Sequence, residues 1–95
     1  MLSDRVVRMI TDYLDECATL KREATLVGMH WYVDSHNKTL PTVEEVNAAL
    51  RQRPSFLAAI TGNAPLVSEE NMRQADREYR KEFSEALKRL RSTDA

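Results

Sequence analysis

The chain has 95 residues, of which 42% are hydrophobic and 31% charged, and its net charge is −1. This length allows one modest hydrophobic core, so we expect a single domain over residues 1–95. The apolar runs are too short for a membrane span, the N-terminal region is too charged for a signal peptide, and two glycines leave few tight turns for a β fold. The composition therefore predicts an all-α protein that does not associate with membranes.

The charge pattern indicates which partners are favoured, and the single cysteine indicates the redox state of the compartment. Lys and Arg number 14 against 15 Asp and Glu, and no segment is a basic block. Proteins that neutralise many phosphates normally concentrate their positive charge, so nucleic acid is not the favoured partner. Cys17 has no second cysteine to pair with, which fits a reducing compartment, and we expect a cytoplasmic protein.

The first predicted helix covers about residues 4–36, with Ser3 as its N-cap. Its apolar residues recur every three or four positions without a change of phase, which favours one continuous helix about 50 Å long. The alternative is a break at Gly28, because glycine can end a helix. If the helix is continuous, Gly28 permits the close approach of other groups. The repeat consists of Val6, Ile10, Tyr13, Cys17, Leu20, Ala24, Val27 and Trp31.

Two short helices follow a polar loop. Helix 2, over about 43–52, begins at a capping box formed by Thr42 and Glu45. Pro54 ends helix 2 and suits the first turn of helix 3, over 55–61.

Helix 4 is predicted over about 69–91, after the N-cap Ser68. Its apolar residues follow helical spacing, and several acidic residues precede a basic residue by four positions, which suits a helix that is partly solvated. The fold class predicted from these elements is all-α. Two long amphipathic helices pack antiparallel as a helical hairpin or bundle, and the two short helices lie between them in sequence.

Helices 2 and 3 have two interpretations. The segment 39–46 resembles the start of the second helix in bacterial winged-helix and helix-turn-helix regulators, which implies DNA binding by helices 2 and 3 as the alternative function. Lys38, Arg51 and Arg53 would then contact phosphates. However, the segment 55–61 contains none of the Arg, Lys, Asn or Gln residues that read base edges. The favoured interpretation is an apolar lid over the Trp31 region, formed by Phe56, Leu57 and Ile60.

No pattern in the chain indicates catalysis or a cofactor. The spacing of Cys17, His30 and His36 does not match a zinc site, and we find no nucleophile motif. A small core also leaves little room for a substrate pocket. We therefore expect no enzymatic activity, no cofactor and no metal.

The amphipathic stripes remain as the candidate functional feature. They predict a non-catalytic helical interaction module that acts as an adaptor, inhibitor or regulator, and that forms a homodimer. On this view Trp31→Ala unfolds the protein, whereas Tyr13→Ala weakens assembly more than folding. Large apolar residues in such stripes are the usual binding anchors, and the residues expected to mediate self-association or partner binding are Ile10, Tyr13, Leu20, Trp31, Tyr79 and Phe83.

Overall fold

The computed structural model describes residues 4–36 and 38–93, with side chains up to residue 92. This part of the chain is entirely helical and loop, which confirms the all-α class. The predicted cap Ser3 lies outside the described residues. The helices are α1 (Asp4–Thr19), α2 (Leu26–Ser35), α3 (Val43–Arg51), α4 (Pro54–Thr61) and α5 (Glu69–Thr93).

The prediction of one continuous helix over 4–36 is wrong, because a short loop separates α1 from α2. α1 ends in a Schellman motif: the Arg22 N–H donates to the Cys17 carbonyl at 2.8 Å, and the Lys21 N–H donates to the Ala18 carbonyl at 3.3 Å. Lys21 occupies the left-handed position of this motif, with φ of 54°. Glycine usually fills that position, so the lysine concealed the end of the helix in the sequence.

Thr25 is the N-cap of α2, and its hydroxyl accepts a hydrogen bond from the Gly28 N–H at 2.9 Å. The Tyr13 hydroxyl holds the same loop, because it accepts from the Thr25 N–H and donates to the Thr25 carbonyl, both at 3.3 Å. Gly28 therefore lies in the first turn of α2 and does not end a helix. It does permit a close approach, since a Cβ at this position would collide with the Tyr13 hydroxyl.

α3, α4 and α5 lie within two residues of their predicted bounds at each end. The capping box of α3 is present, with the Thr42 N–H 2.9 Å from Glu45 Oε1 and the Glu45 N–H 3.2 Å from Thr42 Oγ1. Gly62 ends α4 in the left-handed conformation. Ser68 caps α5, because its Oγ accepts from the Asn71 N–H at 3.1 Å.

The helices pack in two pairs, α1 on α3 and α2 on α5, and α4 lies against α3. This corrects the expected pairing of two long antiparallel helices, since α1 is short and α5 packs mainly on α2. Across the described residues, no helix combines the length and the apolar character that crossing a membrane requires.

The main core lies between α1, α2 and α3. Phe56, Leu57 and Ile60 pack against this core. The expected lid therefore covers the main core, whereas the ring of Trp31 packs on α5. The largest side chains with almost no exposed surface are Ile10, Leu14, Met29, Leu50, Val33, Val46 and Cys17.

A buried asparagine fixes the base of α5 to α3. Asn47 Nδ2 donates to the Val67 carbonyl at 3.1 Å, and the Val67 N–H donates to Asn47 Oδ1 at 2.8 Å. Both residues are buried, so these two bonds satisfy polar groups that water does not reach. These bonds hold the segment just before α5 against α3.

Candidate interaction surface

Three aromatic side chains form a cluster where α2 meets α5, and we call Trp31, Tyr79 and Phe83 the aromatic cluster. Trp31 and Tyr79 are in edge-to-face contact, with ring centroids 5.0 Å apart and an interplanar angle of 78°. Phe83 lies one turn further along α5, with its ring centroid 6.0 Å from each of the other two. Such pairs contribute about 0.5–1.5 kcal/mol beyond the burial of their area, so the cluster fastens α2 to α5.

The cluster lies at the surface rather than in the core. Trp31 and Tyr79 are half-buried, and Phe83 is 38% exposed. The Trp31 Nε1–H donates to Glu82 Oε1 at 2.9 Å, which satisfies the polar edge of the indole. The result is an ordered aromatic surface, one edge of which remains in contact with solvent.

His30 lies on the buried side of the same contact. Its side chain is 3% exposed, its ring centroid is 5.8 Å from that of Tyr79, and its Nδ1 has no hydrogen-bond partner among the described residues. Burial lowers the pKa of His30, and the nearby carboxylate of Asp76 partly offsets this effect. The packing therefore favours a neutral imidazole.

Beyond the aromatic cluster, none of the other helices in the described part of the chain covers α5. Every residue from Arg80 to Ser92 is exposed except Ala86, which is half-buried. Four apolar residues nevertheless line one face of this segment at helical spacing, and we call them the distal stripe: Phe83, Ala86, Leu87 and Leu90. Leu87 is 39% exposed and Leu90 is 63% exposed.

The structure brings together only some of the residues that the sequence indicated for association. Trp31, Tyr79 and Phe83 meet in the aromatic cluster. Ile10 and Tyr13 lie in the main core, with 0% and 5% of their surfaces exposed. In this chain they are structural residues, and we expect Tyr13→Ala to impair folding rather than assembly.

Leu20 is separate from both groups. Its side chain is 53% exposed at the end of α1, where the Schellman motif turns the chain away from the helix axis. It therefore lies neither in the main core nor in the aromatic cluster.

The basic residues of the DNA-binding alternative do not present three free charges. Arg53 Nε and Nη2 donate to Asp15 Oδ1 at 3.0 and 2.7 Å, so its charge is compensated within the chain. Lys38 and Arg51 are exposed.

A cleft of about 390 Å³ between α5 and the loop before α3, with His30 of α2 also in its wall, contains further arginines. Arg80 pairs with Asp76 at 3.0 Å, and Arg73 and Arg77 share Glu70 at 3.4 and 3.3 Å. Among residues 4–36 and 38–92, no group of three or more His, Cys, Asp or Glu side chains could hold a metal ion.

The residues that the sequence indicated for association did not include four members of the surface, Glu82, Ala86, Leu87 and Leu90. Ala86, Leu87 and Leu90 follow Phe83 by three, four and seven positions, so helical spacing was available as a signal for all three. Glu82 is a polar residue within an apolar pattern. Its role depends on Trp31 of another helix, whose Nε1–H donates to it, and spacing along α5 does not reveal that contact.

No family model matches the chain, and neither the curated proteins nor the solved structures contain a significant match to it.

Proposed function

We propose that this protein is a non-catalytic helical interaction module, an adaptor, inhibitor or regulator, that forms a homodimer through the distal stripe. The observation that carries the proposal is the exposure of Phe83, Leu87 and Leu90, which begin where the cover of α2 ends at Trp31 and continue along α5 where the other described helices do not reach. Single exposed apolar residues are common on soluble proteins, whereas contiguous ones generally mark interaction surfaces.

The neighbouring aromatic cluster supports this choice of surface. Binding energy is typically concentrated in a few large aromatic anchors held in defined positions. Trp31 and Phe83 are such anchors, and their mutual packing and the bond from Trp31 to Glu82 hold them in place before a partner arrives. Little side-chain entropy is then lost on association.

The titratable groups support a non-catalytic role. Perturbed pKa values often mark active sites, but structural packing also produces them. Tyr13, His30 and Tyr79 have shifted pKa values, and burial is the largest cause in each case. Burial raises the pKa of Tyr13 to about 12. Tyr13 fastens a loop, and the other two residues pack α2 on α5.

Replacing Leu90 by arginine tests the proposal. We expect the wild-type chain to show the mass of a dimer by light scattering, and Leu90→Arg to shift it to a monomer, because a guanidinium would be forced into an apolar contact. Ser84→Arg is the matched control, since it adds the same charge to an exposed site off the stripe on the same helix.

Circular dichroism should show equal helicity in both variants, because both sites are exposed. A wild-type chain that remains monomeric over a roughly hundredfold range of concentration would contradict the proposal. Unchanged dimerisation of Leu90→Arg would also contradict it. A random DNA duplex at low salt serves as a further arm, and a salt-sensitive shift of the protein onto the duplex would favour the DNA-binding alternative instead.

A further inference from the structure

The cleft between α5 and the loop before α3 combines apolar side chains with three arginines. Its volume of about 390 Å³ lies at the lower end of the range for small-molecule sites, about 300–1,000 Å³. Three of its lining residues are apolar: Pro41 is buried, Met72 is half-buried and Leu40 is 49% exposed. The cleft therefore offers apolar surface that a ligand would remove from water.

The arginines of the cleft retain donors that the chain itself does not use. Arg73, Arg77 and Arg80 are spaced by four and three residues, so they lie along one side of α5. A guanidinium has five N–H donors. Among the described residues, these three groups make one hydrogen bond to a carboxylate, from Arg77 Nη2 to Glu70 Oε1 at 3.3 Å. Most of their donors remain available to an oxygen anion.

The balance of charge around the cleft is positive. Arg73 and Arg77 share the carboxylate of Glu70, and Arg80 forms an ion pair with Asp76. Three positive charges therefore face two negative charges within ion-pair distance, which leaves one in excess. The three arginine side chains are 66–76% exposed, and exposed ion pairs contribute little, so these side chains can turn toward a ligand at low cost.

His30 adds a polar group that lacks a partner. It lies in the wall of the cleft, it is buried, and neither of its ring nitrogens is hydrogen-bonded to another described residue. A neutral imidazole has one N–H donor, and a buried donor without an acceptor is unfavourable. An acceptor atom of a ligand beside His30 would remove this cost.

We infer that this cleft binds a small carboxylate that carries an apolar chain, such as a short fatty acid. The carboxylate oxygens accept from the guanidinium N–H groups and from His30, and the chain covers Leu40 and Met72. Its single negative charge matches the one positive charge in excess. The cleft contains no residue of the distal stripe, so this inference goes beyond the proposed function and does not depend on dimerisation.

Titration with sodium hexanoate, followed by NMR of the backbone amides and of the His30 ring, tests the site. We expect saturable shifts at His30, Leu40 and Arg77, with a Kd of about 1 mM or tighter. Acetate and inorganic phosphate lack the apolar chain, and 1-hexanol lacks the charge. Each of these three probes should bind at least about tenfold more weakly than hexanoate.

Two variants separate the contributions of charge and apolar contact. Arg77→Met removes a charge but keeps an unbranched side chain, and it should raise the Kd for hexanoate about tenfold. Arg91→Met is the matched control, since Arg91 is an exposed arginine on the same helix outside the cleft. Leu40→Ser should weaken the binding of hexanoate and leave that of acetate unchanged. All three sites are exposed, so circular dichroism should show unchanged helicity.

Several results would overturn the inference. These are the absence of saturable shifts up to about 20 mM hexanoate, equal affinity for hexanoate and 1-hexanol, and equal affinity for hexanoate and acetate or phosphate. Equal effects of Arg77→Met and Arg91→Met, or shifts confined to the distal stripe, would overturn it as well.

The Leu90→Arg variant keeps the two proposals apart, because it should bind hexanoate as the wild type does. A monomeric wild type that binds hexanoate in the cleft overturns the homodimer alone. A dimeric wild type that binds no hexanoate overturns the carboxylate site alone.

Discussion

The Tyr13 hydroxyl holds the loop between α1 and α2, and it can do so because Gly28 carries no methyl group. The Tyr13 hydroxyl reaches the backbone of Thr25 only because Gly28 carries no Cβ. The tyrosine ring is 5% exposed and packed in the core, so it cannot swing away at low cost. The first turn of α2 and the side chain from α1 therefore constrain each other.

Gly28→Ala should destabilise the protein, although alanine favours a helix by about 1 kcal/mol over glycine. The new Cβ would displace the Tyr13 hydroxyl and break both of its bonds to Thr25. In a Tyr13→Phe background the hydroxyl is absent, and the same Gly28→Ala change should cost much less, because the closest remaining contact of the new Cβ is Thr25 Oγ1 at 3.1 Å. Urea unfolding of the wild type, the two single variants and the double variant measures this coupling.

The expected result is a coupling energy of about 1–2 kcal/mol, well above the additivity error for independent sites. Ser84→Ala is the control, since Ser84 is exposed in the distal part of α5, whereas the contacts of Tyr13 are with Thr25, Gly28 and Tyr32. It should give the same free-energy change in both backgrounds. Additive effects of Gly28→Ala and Tyr13→Phe would refute the steric explanation.

At the scale of the helix, Lys21 determines where α1 ends. Its φ of 54° places a side chain in the left-handed region, which costs roughly 1–2 kcal/mol for residues other than glycine. Lys21→Gly should therefore stabilise the protein by about 1 kcal/mol, which raises Tm by about 4–8 °C in a domain of this size. Thermal unfolding followed by circular dichroism measures the change.

Lys21→Ala is the matched control, since it also removes the exposed lysine chain but retains a Cβ. It should leave Tm close to that of the wild type. An equal rise in both variants would mean that the lysine charge, and not the backbone conformation, strains the end of α1.

Sequence patterns located the later helices because their boundaries carry chemical signals. Thr42, Pro54 and Gly62 each perform the role that their residue type favours. The boundary between α1 and α2 carries a weaker signal, because Lys21 fills a glycine position and Thr25 is flanked by apolar residues. Apolar periodicity records which side chains face inward, and it continued across a loop that contains the buried Ala24.

The candidate surface was predicted in part for a related reason. Helical spacing placed Tyr79 and Phe83 on one face, and Trp31 on an apolar face of its own. Spacing within a helix does not specify which other helix meets that face. The pairing of α2 with α5 depends on the turn after α1 and on the Asn47 contact, and neither has a periodic signature.

At the scale of the whole molecule, His30 makes stability depend on pH. Burial lowers its pKa from the usual 6.5, with Asp76 opposing in part. Below about pH 6.5 the unfolded chain therefore binds a proton that the folded protein does not. The free energy of unfolding should fall as the pH drops from about 7 to 5, by at most about 1.4 kcal/mol per unit for this one group.

Urea unfolding at several pH values measures this slope for the wild type and for His30→Gln. The variant should lose part of the slope between about pH 7 and 5, because its side chain does not titrate. His36→Gln is the control, since His36 is exposed and stacks on Tyr32 away from the contact of α2 with α5. An unchanged slope in His30→Gln would show that other groups govern the acid response.

The aromatic cluster makes the distal part of α5 a short cantilever, because Trp31 holds the helix as far as Phe83. Leu90 lies seven residues beyond Phe83, which corresponds to about 10 Å along a helix. A tilt of about 5° at Phe83 would move Leu90 by only about 1 Å, much less than the width of a side-chain contact. The exposed leucines therefore keep nearly fixed positions, although the other described helices do not cover them.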